Sequence, residues 1–298
     1  MHGWLILDKP LGLGSTQGVA VVKRALREGG YARVKVGHGG TLDPLATGVL
    51  PIALGEATKL AGRLLDSDKV YDFTIAFGEE TDTLDAEGKV VATSEHVPNH
   101  GAVEHVVSEF LGPIDQVPPA FSALKVDGAR AYDLARAGED VTLATRRVTI
   151  HALDCEAERI DEAGRRYATL RAHVSKGTYI RSLARDIARA LGTVGHVTML
   201  RRIKAGPFDL SHAISLDILR EAATSRDLEH HLLPLGAGLD DIPALSLTPD
   251  QAGALRQGRV LVGIDAVDGV TLATLHDVPQ ALVAIEGGQV RVLRGFNL

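Results

Sequence analysis

The stretch VGHGGTLDPLATG, residues 36–48, holds a single carboxylate, Asp43, among glycines, small residues and proline; the nearest other titratable side chain is His38. Pro44 disfavours the helical region for Asp43 and points to an extended or turn conformation. Gly37, Gly39 and Gly40 permit close approach by another backbone or by a ligand. An aspartate with an ordinary pKa of about 3.9 is ionised near neutrality. It serves as a nucleophile or base once an electrophile is pressed against it. An Asx-turn that merely fixes the loop uses the same residue, and local sequence leaves both roles open. No second acid accompanies Asp43 in this stretch.

Other chemistries find less support. Gly12, Gly14 and Gly18 follow a strand-like run, but their spacing is one residue too long for the dinucleotide fingerprint. No Gly-Lys-Ser/Thr run is present, so a nucleotide-binding loop is not expected. There is no H-E-x-x-H motif among the 12 histidines, His230 and His231 are adjacent and diverge on a helix, and Cys155 is the only cysteine. No metal site is therefore expected, and an intramolecular disulfide is impossible. The G-x-S-x-G frame of a serine nucleophile is absent.

The elements that would position Asp43 follow from periodicity and punctuation. GWLILDK reads as a buried strand stopped by Pro10 and Gly12. STQGVAVVKRALREGG reads as a helix with Ser15 or Thr16 as N-cap and Gly29–Gly30 as the stop. GVLPIALGEATKLAGRLL gives a short strand and then a helix. KVYDFTIAFGEETDT alternates, placing Tyr71, Phe73, Ile75 and Phe77 on one face. HGAVEHVVSEFLG reads as an amphipathic helix. Residues 114–138 begin irregularly and turn helical, and RRVTIHALDCEAERI, RRYATLRAHVSKG and TYIRSLARDIARAL give strand, strand and helix. This mix predicts an α+β domain on a largely antiparallel sheet flanked by helices. A texture change near residue 243 predicts a boundary at about 236–246, followed by a compact β-rich module.

The 298 residues suffice for one large and one small domain. The apolar start lacks a basic leader and reads as a first strand, not a signal peptide; no apolar run is long enough to span a membrane. With one cysteine, a reducing cytoplasm is the expected location. Net charge is −6, yet residues 165–204 carry ten Lys and Arg against one acid, Asp186, while residues 66–90 are strongly acidic. The basic stretch is expected to face phosphates, the acidic one to lie mostly elsewhere, with Thr81–Glu87 as a solvated turn.

Six blocks in order make the chain resemble the bacterial TruB-type tRNA pseudouridine synthases: LDKPLG, GHGGTLDPLATGVLPIALGEATK, LLDSDKVYDFTIAFGEETDTLDAEG, PPAFSALKVDGARAYDLARAG, SKGTYIRSLARDI and LRRIKAGPF. The resemblance implies that family's catalytic domain over residues 1–240, with an RNA-binding insert around 113–145, and a small PUA-like RNA-binding domain over 244–298. It implies a cofactor-free isomerisation of uridine 55 in the tRNA T-loop: the N1–C1′ bond breaks, the uracil turns, and C5 joins C1′. Asp43 matches the family's catalytic aspartate, acting by attack at C1′ or by proton abstraction. Arg181 matches the arginine paired with it, Tyr71 the tyrosine stacked on the flipped base, whose phenol also serves catalysis by helping to remove the C5 proton, and Tyr179 a pocket wall. Leu200 matches a base contact, and His38 the residue that fills the place of the flipped base. One departure is the pair Gly14–Ser15, where the family usually has Thr-Ser or Ser-Ser. Further implications are the T-stem-loop as partner, no membrane and a monomer. The alternative is a non-catalytic RNA-binding or tRNA-remodelling protein on the same fold.

Overall fold

The computed structural model describes residues 1–122, 124–126, 129–137 and 143–298. The expected insert around 113–145 lies partly outside the described residues. A mixed sheet organises the larger part of the molecule. Its main strands are β1 (Gly3–Lys9), β2 (Val36–His38), β3 (Ala46–Leu54), β4 (Lys69–Phe77), β5 (Gly112–Gln116), β6 (Arg146–Ile160), β7 (Arg166–Val174), β8 (Gly195–Ala205) and β9 (Ala213–Ile214). Across the sheet the order is β9-β1-β3-β8-β4-β7-β6-β5, with β2 paired to β3. Only β1–β9 and β3–β8 run parallel among these neighbours. The architecture is thus α+β and largely antiparallel.

The alternation in β4 works as its residue types dictate. Phe73, Ile75 and Phe77 enter one buried cluster with Leu170, Leu183 and Ile187, and Tyr71 packs at its margin. The helix α1 (Ser15–Glu28) covers another patch through Val19, Val22 and Leu26, against Leu50 and Ile52 of β3. Its N-cap is Gly14, not Ser15 or Thr16. Ser15 is drawn off capping because its hydroxyl bonds both the carbonyl and the N–H of Leu42, at 2.9 and 2.7 Å. The segment read as one helix after His100 is a short α-helix, Ala102–Val106, tightening into a 3-10 turn over Val107–Phe110.

A second sheet of five short strands spans residues 244–295, and its Gly287–Gly288 turn has both φ values positive, as a tight hairpin requires. It shares a hydrophobic cluster with the first: Leu272, Leu282 and Phe296 pack with Trp4, Phe208 and Leu235. The indole of Trp4 donates to the carbonyl of Leu235 at 3.1 Å, so its buried N–H is satisfied. No helix among the described residues is long and apolar enough to cross a membrane.

Gly48 marks where β3 meets β8. Its φ is +98°, and a Cβ there would lie 2.2 Å from the carbonyl oxygen of Arg202. Gly48→Ala is expected to lower stability by at least about 2 kcal/mol, from backbone strain plus the clash. Thermal unfolding measures it, and an unchanged melting temperature contradicts the packing described.

Candidate active site

The loop from Gly40 to Leu45 is clamped from three sides, which accounts for the rigidity its composition suggested. The Lys9 ammonium donates to the carbonyls of Leu13, Pro10 and Pro44, at 2.6, 3.1 and 3.4 Å. Ser15 holds Leu42, as described above. Arg202, 1 % exposed, donates to the carbonyls of Val49, Thr41 and Gly40 at 2.8, 3.2 and 3.3 Å. Backbone carbonyls cannot be protonated away, so these clamps fix the loop without neutralising its one carboxylate. Burial lowers the Lys9 pKa to about 8, partly opposed by the nearby Asp43 and reinforced by Arg202. The loop glycines have distinct roles. A Cβ on Gly39 would sit 2.6 Å from the side chain of Leu64, whereas one on Gly37 would meet nothing within 4 Å. Gly39 therefore serves packing.

Arg181 opens helix α2 (Ile180–Ala190), and its guanidinium bridges two carboxylates. Nη2 lies 2.9 Å from Asp43 Oδ2, and Nη1 lies 3.1 Å from Asp85 Oδ2. Further donations to the carbonyls of Thr83 and Phe121, at 2.9 and 3.0 Å, fix its plane. The Arg181 side chain is 8 % exposed and that of Asp85 9 %, against 45 % for Asp43. One carboxylate thus anchors the arginine in the interior while the other faces open space. Asp85 is itself held by the Thr83 hydroxyl at 2.5 Å and the Glu87 N–H at 3.1 Å.

A cavity of about 310 Å³ opens beside this pair, within the range of small-ligand sites. Asp43, Tyr71, Tyr179, Arg181 and Leu200 all line it. Burial raises the Tyr179 pKa, so its phenol stays neutral near pH 7, and its backbone N–H bonds Gln116 Oε1 at 2.8 Å. Leu200 of β8 reaches the wall because β8 sits between β3 and β4, where its register partners are Ala46 and Phe73. His38, on β2, stands outside this lining, two residues before the lining residue Gly40. Burial lowers its pKa, the Arg202 charge adds to the effect, and the ring is neutral at pH 7.

Three further residues escaped the sequence reading. Lys69 lines the cavity, 6 % exposed, its ammonium on the carbonyls of Leu64, Leu65 and Ser67; burial lowers its pKa to about 8. Arg202 lines it too. The only signal for both was a cation followed by an apolar strand residue, Val70 or Ile203. Asp85 corrects an expectation: Thr81–Glu87 is not a solvated turn, since Thr81, Leu84 and Asp85 are buried. Charge alone cannot single out Asp85 within an acid-rich run.

The two charge runs are also corrected, because they meet. Asp66 pairs with Lys176, Asp72 with Arg171, Glu79 with Arg165, Glu80 with Arg189, and Asp85 with Arg181. The cause is topological. Strand β4 is the antiparallel neighbour of β7, so the acids on and around it face the bases on and beside β7 and on the helix that follows it. Arg201 is likewise taken, by Asp8 at 2.9 Å. Much of the basic stretch is therefore neutralised locally and is no free phosphate-binding face. Arg146, at the start of β6, has no carboxylate partner among the described residues, and it lines a surface hollow with Arg147 and Lys176.

Comparison with known proteins adds an independent line. Residues 25–180 match the TruB family pseudouridylate synthase N-terminal domain, and residues 181–240 the tRNA pseudouridylate synthase B C-terminal domain. The chain is 66 % identical to a tRNA pseudouridine synthase B of Novosphingobium aromaticivorans over 100 % of its own length and 98 % of that protein's. For the protein of the same name from Zymomonas mobilis the identity is 59 %, covering 100 % and 96 %. Among solved structures, one of an H/ACA RNP bound to a substrate RNA containing 2′-deoxyuridine is similar, with TM-score 0.72 and 25 % identity over 99 % of this chain and 85 % of that one. A Cbf5–Nop10–Gar1 complex gives TM-score 0.71 and 26 % identity over the same shares.

Proposed function

The chain belongs to the TruB family of pseudouridylate synthases, and from that premise we propose that Asp43, held by Arg181, is its catalytic carboxylate. The protein is an isomerase that makes pseudouridine in tRNA; the target in this reading is uridine 55 of the T-loop. The supporting observation is one carboxylate, aimed by a buried arginine, in a cavity walled by Tyr71, Tyr179 and Leu200. Arg181 holds Oδ2, and Oδ1 has no hydrogen-bond partner among the described residues. A reacting carboxylate needs one such oxygen, whether it attacks C1′ or takes a proton.

A stacked uridine cannot bring C1′ and C5 to Asp43, so the nucleotide is flipped out. Tyr71 stacks on the extruded uracil and Leu200 packs beside it. The N1–C1′ bond breaks, the base turns, C5 bonds to C1′, and the C5 proton leaves as N1 gains one. Tyr71 stands near enough to the cavity to assist that last transfer. His38, neutral and outside the cavity, fills the gap in the T-loop stack. Residues 1–240 form the catalytic unit in this reading, and the PUA-like sheet of 244–298 contacts further tRNA backbone. The protein works as a monomer in the cytoplasm, in keeping with its single cysteine.

The test is tritium release from tRNA labelled at uracil C5, without added metal or nucleotide. Release at uridine 55 is expected. Binding without release favours the tRNA-remodelling reading, and a requirement for a nucleotide overturns both. Charge pairing sharpens a second expectation. Arg146→Gln should weaken tRNA binding and flatten the slope of log affinity against log salt by about 1, the loss of one phosphate contact. Arg171→Gln, whose charge Asp72 already neutralises, should leave the slope unchanged. Equal changes in the two variants contradict the placement of phosphates along β6.

A further inference from the structure

Away from the cavity, side chains from two strands and from the residue that precedes a third converge on the surface. His151 sits in a bulge of β6, where pairing with β7 slips between Ile150 and Ala152. A bulge re-aims the side chain it carries, and here it brings the His151 ring to 4.8 Å, centroid to centroid, from that of His173 on β7. Asp68 immediately precedes β4, whose Val70 is the register partner of His173. Asp68 Oδ2 lies 3.2 Å from His151 Nε2 and 3.8 Å from His173 Nε2. The three ligand-type atoms all lie within 4.8 Å of one another.

From this convergence we propose that Asp68, His151 and His173 form a binding site for a zinc-class divalent ion. The argument is geometric. Ligands about 2.0–2.1 Å from a tetrahedral zinc stand roughly 3.3 Å apart, so two of the observed separations already approach that value and small rotamer shifts supply the rest. Two imidazoles and one carboxylate are the donors that suit zinc, and the first-row ions near it, better than magnesium or calcium. Two of the three ligands stand on paired strands of a large sheet, so little backbone order need be gained on binding. Each ligand is partly exposed, which leaves an entry path and coordination positions for water. Lys204, close enough to depress the His173 pKa, and Lys69, whose ammonium feels the Asp68 charge, are nearby cations that oppose occupancy.

Such an ion has a structural consequence independent of the isomerisation. Asp68 adjoins Lys69 and His173 adjoins Val174, and both of these neighbours line the catalytic cavity. A bound ion therefore ties the entrance of β4 to the β6–β7 pair along one cavity wall. The sequence concealed the trio, because its members are 83 and 22 residues apart, and no metal-ligand spacing rule covers that.

Zinc chloride titrated calorimetrically into untagged protein tests the site. One ion per chain is expected, with affinity falling at least tenfold in His151→Ala and in His173→Ala, and less in Asp68→Asn. Cobalt(II) should give a visible absorption band that both histidine variants lack. Zinc should also raise the melting temperature of the unaltered protein and of a His230→Ala control, but not of the His151→Ala/His173→Ala variant. These side chains are exposed, so the metal-free variants are expected to melt as the parent does. Zinc affinity unchanged in the double variant, or no binding at millimolar zinc, overturns the proposal and leaves an ordinary surface His–Asp cluster.

Discussion

Asp43→Asn is expected to abolish tritium release, by at least about 10⁴-fold in kcat, the scale seen when a reacting carboxylate or nucleophile is removed. The substitution is nearly isosteric and Asp43 is half-exposed, so the melting temperature should shift by only a few degrees. Its ion pair with Arg181 is lost, yet Arg181 keeps Asp85 and the carbonyls of Thr83 and Phe121. Affinity for unmodified tRNA, measured by filter binding, should stay within a few-fold. Loss of activity together with loss of binding would mean that Asp43 shapes the RNA site, and residual release above about one per cent of the parent would remove it from the chemistry.

Arg181→Met is the second large effect and differs in kind. It removes the one cation between two carboxylates and strands Asp85, 9 % exposed, without its partner. Breaking a buried pair by deleting one member typically costs about 3–5 kcal/mol, because an uncompensated charge stays behind. Denaturant unfolding should show a loss of that order, and turnover should fall with it because Asp43 is no longer aimed. Asp85→Asn placed on top of Arg181→Met should recover much of the stability and none of the activity. Recovery of both would make Arg181 a purely structural group; recovery of neither would mean that Asp85 does not carry the burial cost.

The sequence disclosed those parts of the site that local chemistry or motif spacing marks. Asp43 stood out through the loop around it, and the alternation of KVYDFTIAF put Tyr71 on the buried face that the structure shows. Arg181, Tyr179 and Leu200 were placed through the family's blocks, and the cavity contains all three. What stayed hidden depends on which strands are neighbours. Asp85 looked like any acid of its run until β4, β8 and α2 set it against Arg181. The opposed charge runs looked like separate surfaces, but they are the facing sides of one sheet region. Ser15 fitted a cap by type and was diverted by a carbonyl 27 residues away, a competition that helix propensity does not register. Lys69 and Arg202 are cations that lone apolar flanks could only hint at; their partners are main-chain carbonyls, which no residue type announces.

The slot between β3 and β4 bears on how the molecule is made. Strand β8, residues 195–205, fills that slot, although β3 and β4 are complete by residue 77. During synthesis the ribosome exposes two unpaired apolar edges, open to mispairing, until more than a hundred further residues have emerged. At roughly 5–20 residues per second the wait lasts about 6–25 s. The closing strand brings Leu200 and Arg202 with it, and Arg181 precedes it by a single helix. Closure of the slot between β3 and β4 and assembly of the catalytic pocket are therefore the same late event, and a nascent chain that has not yet filled that slot cannot act on RNA.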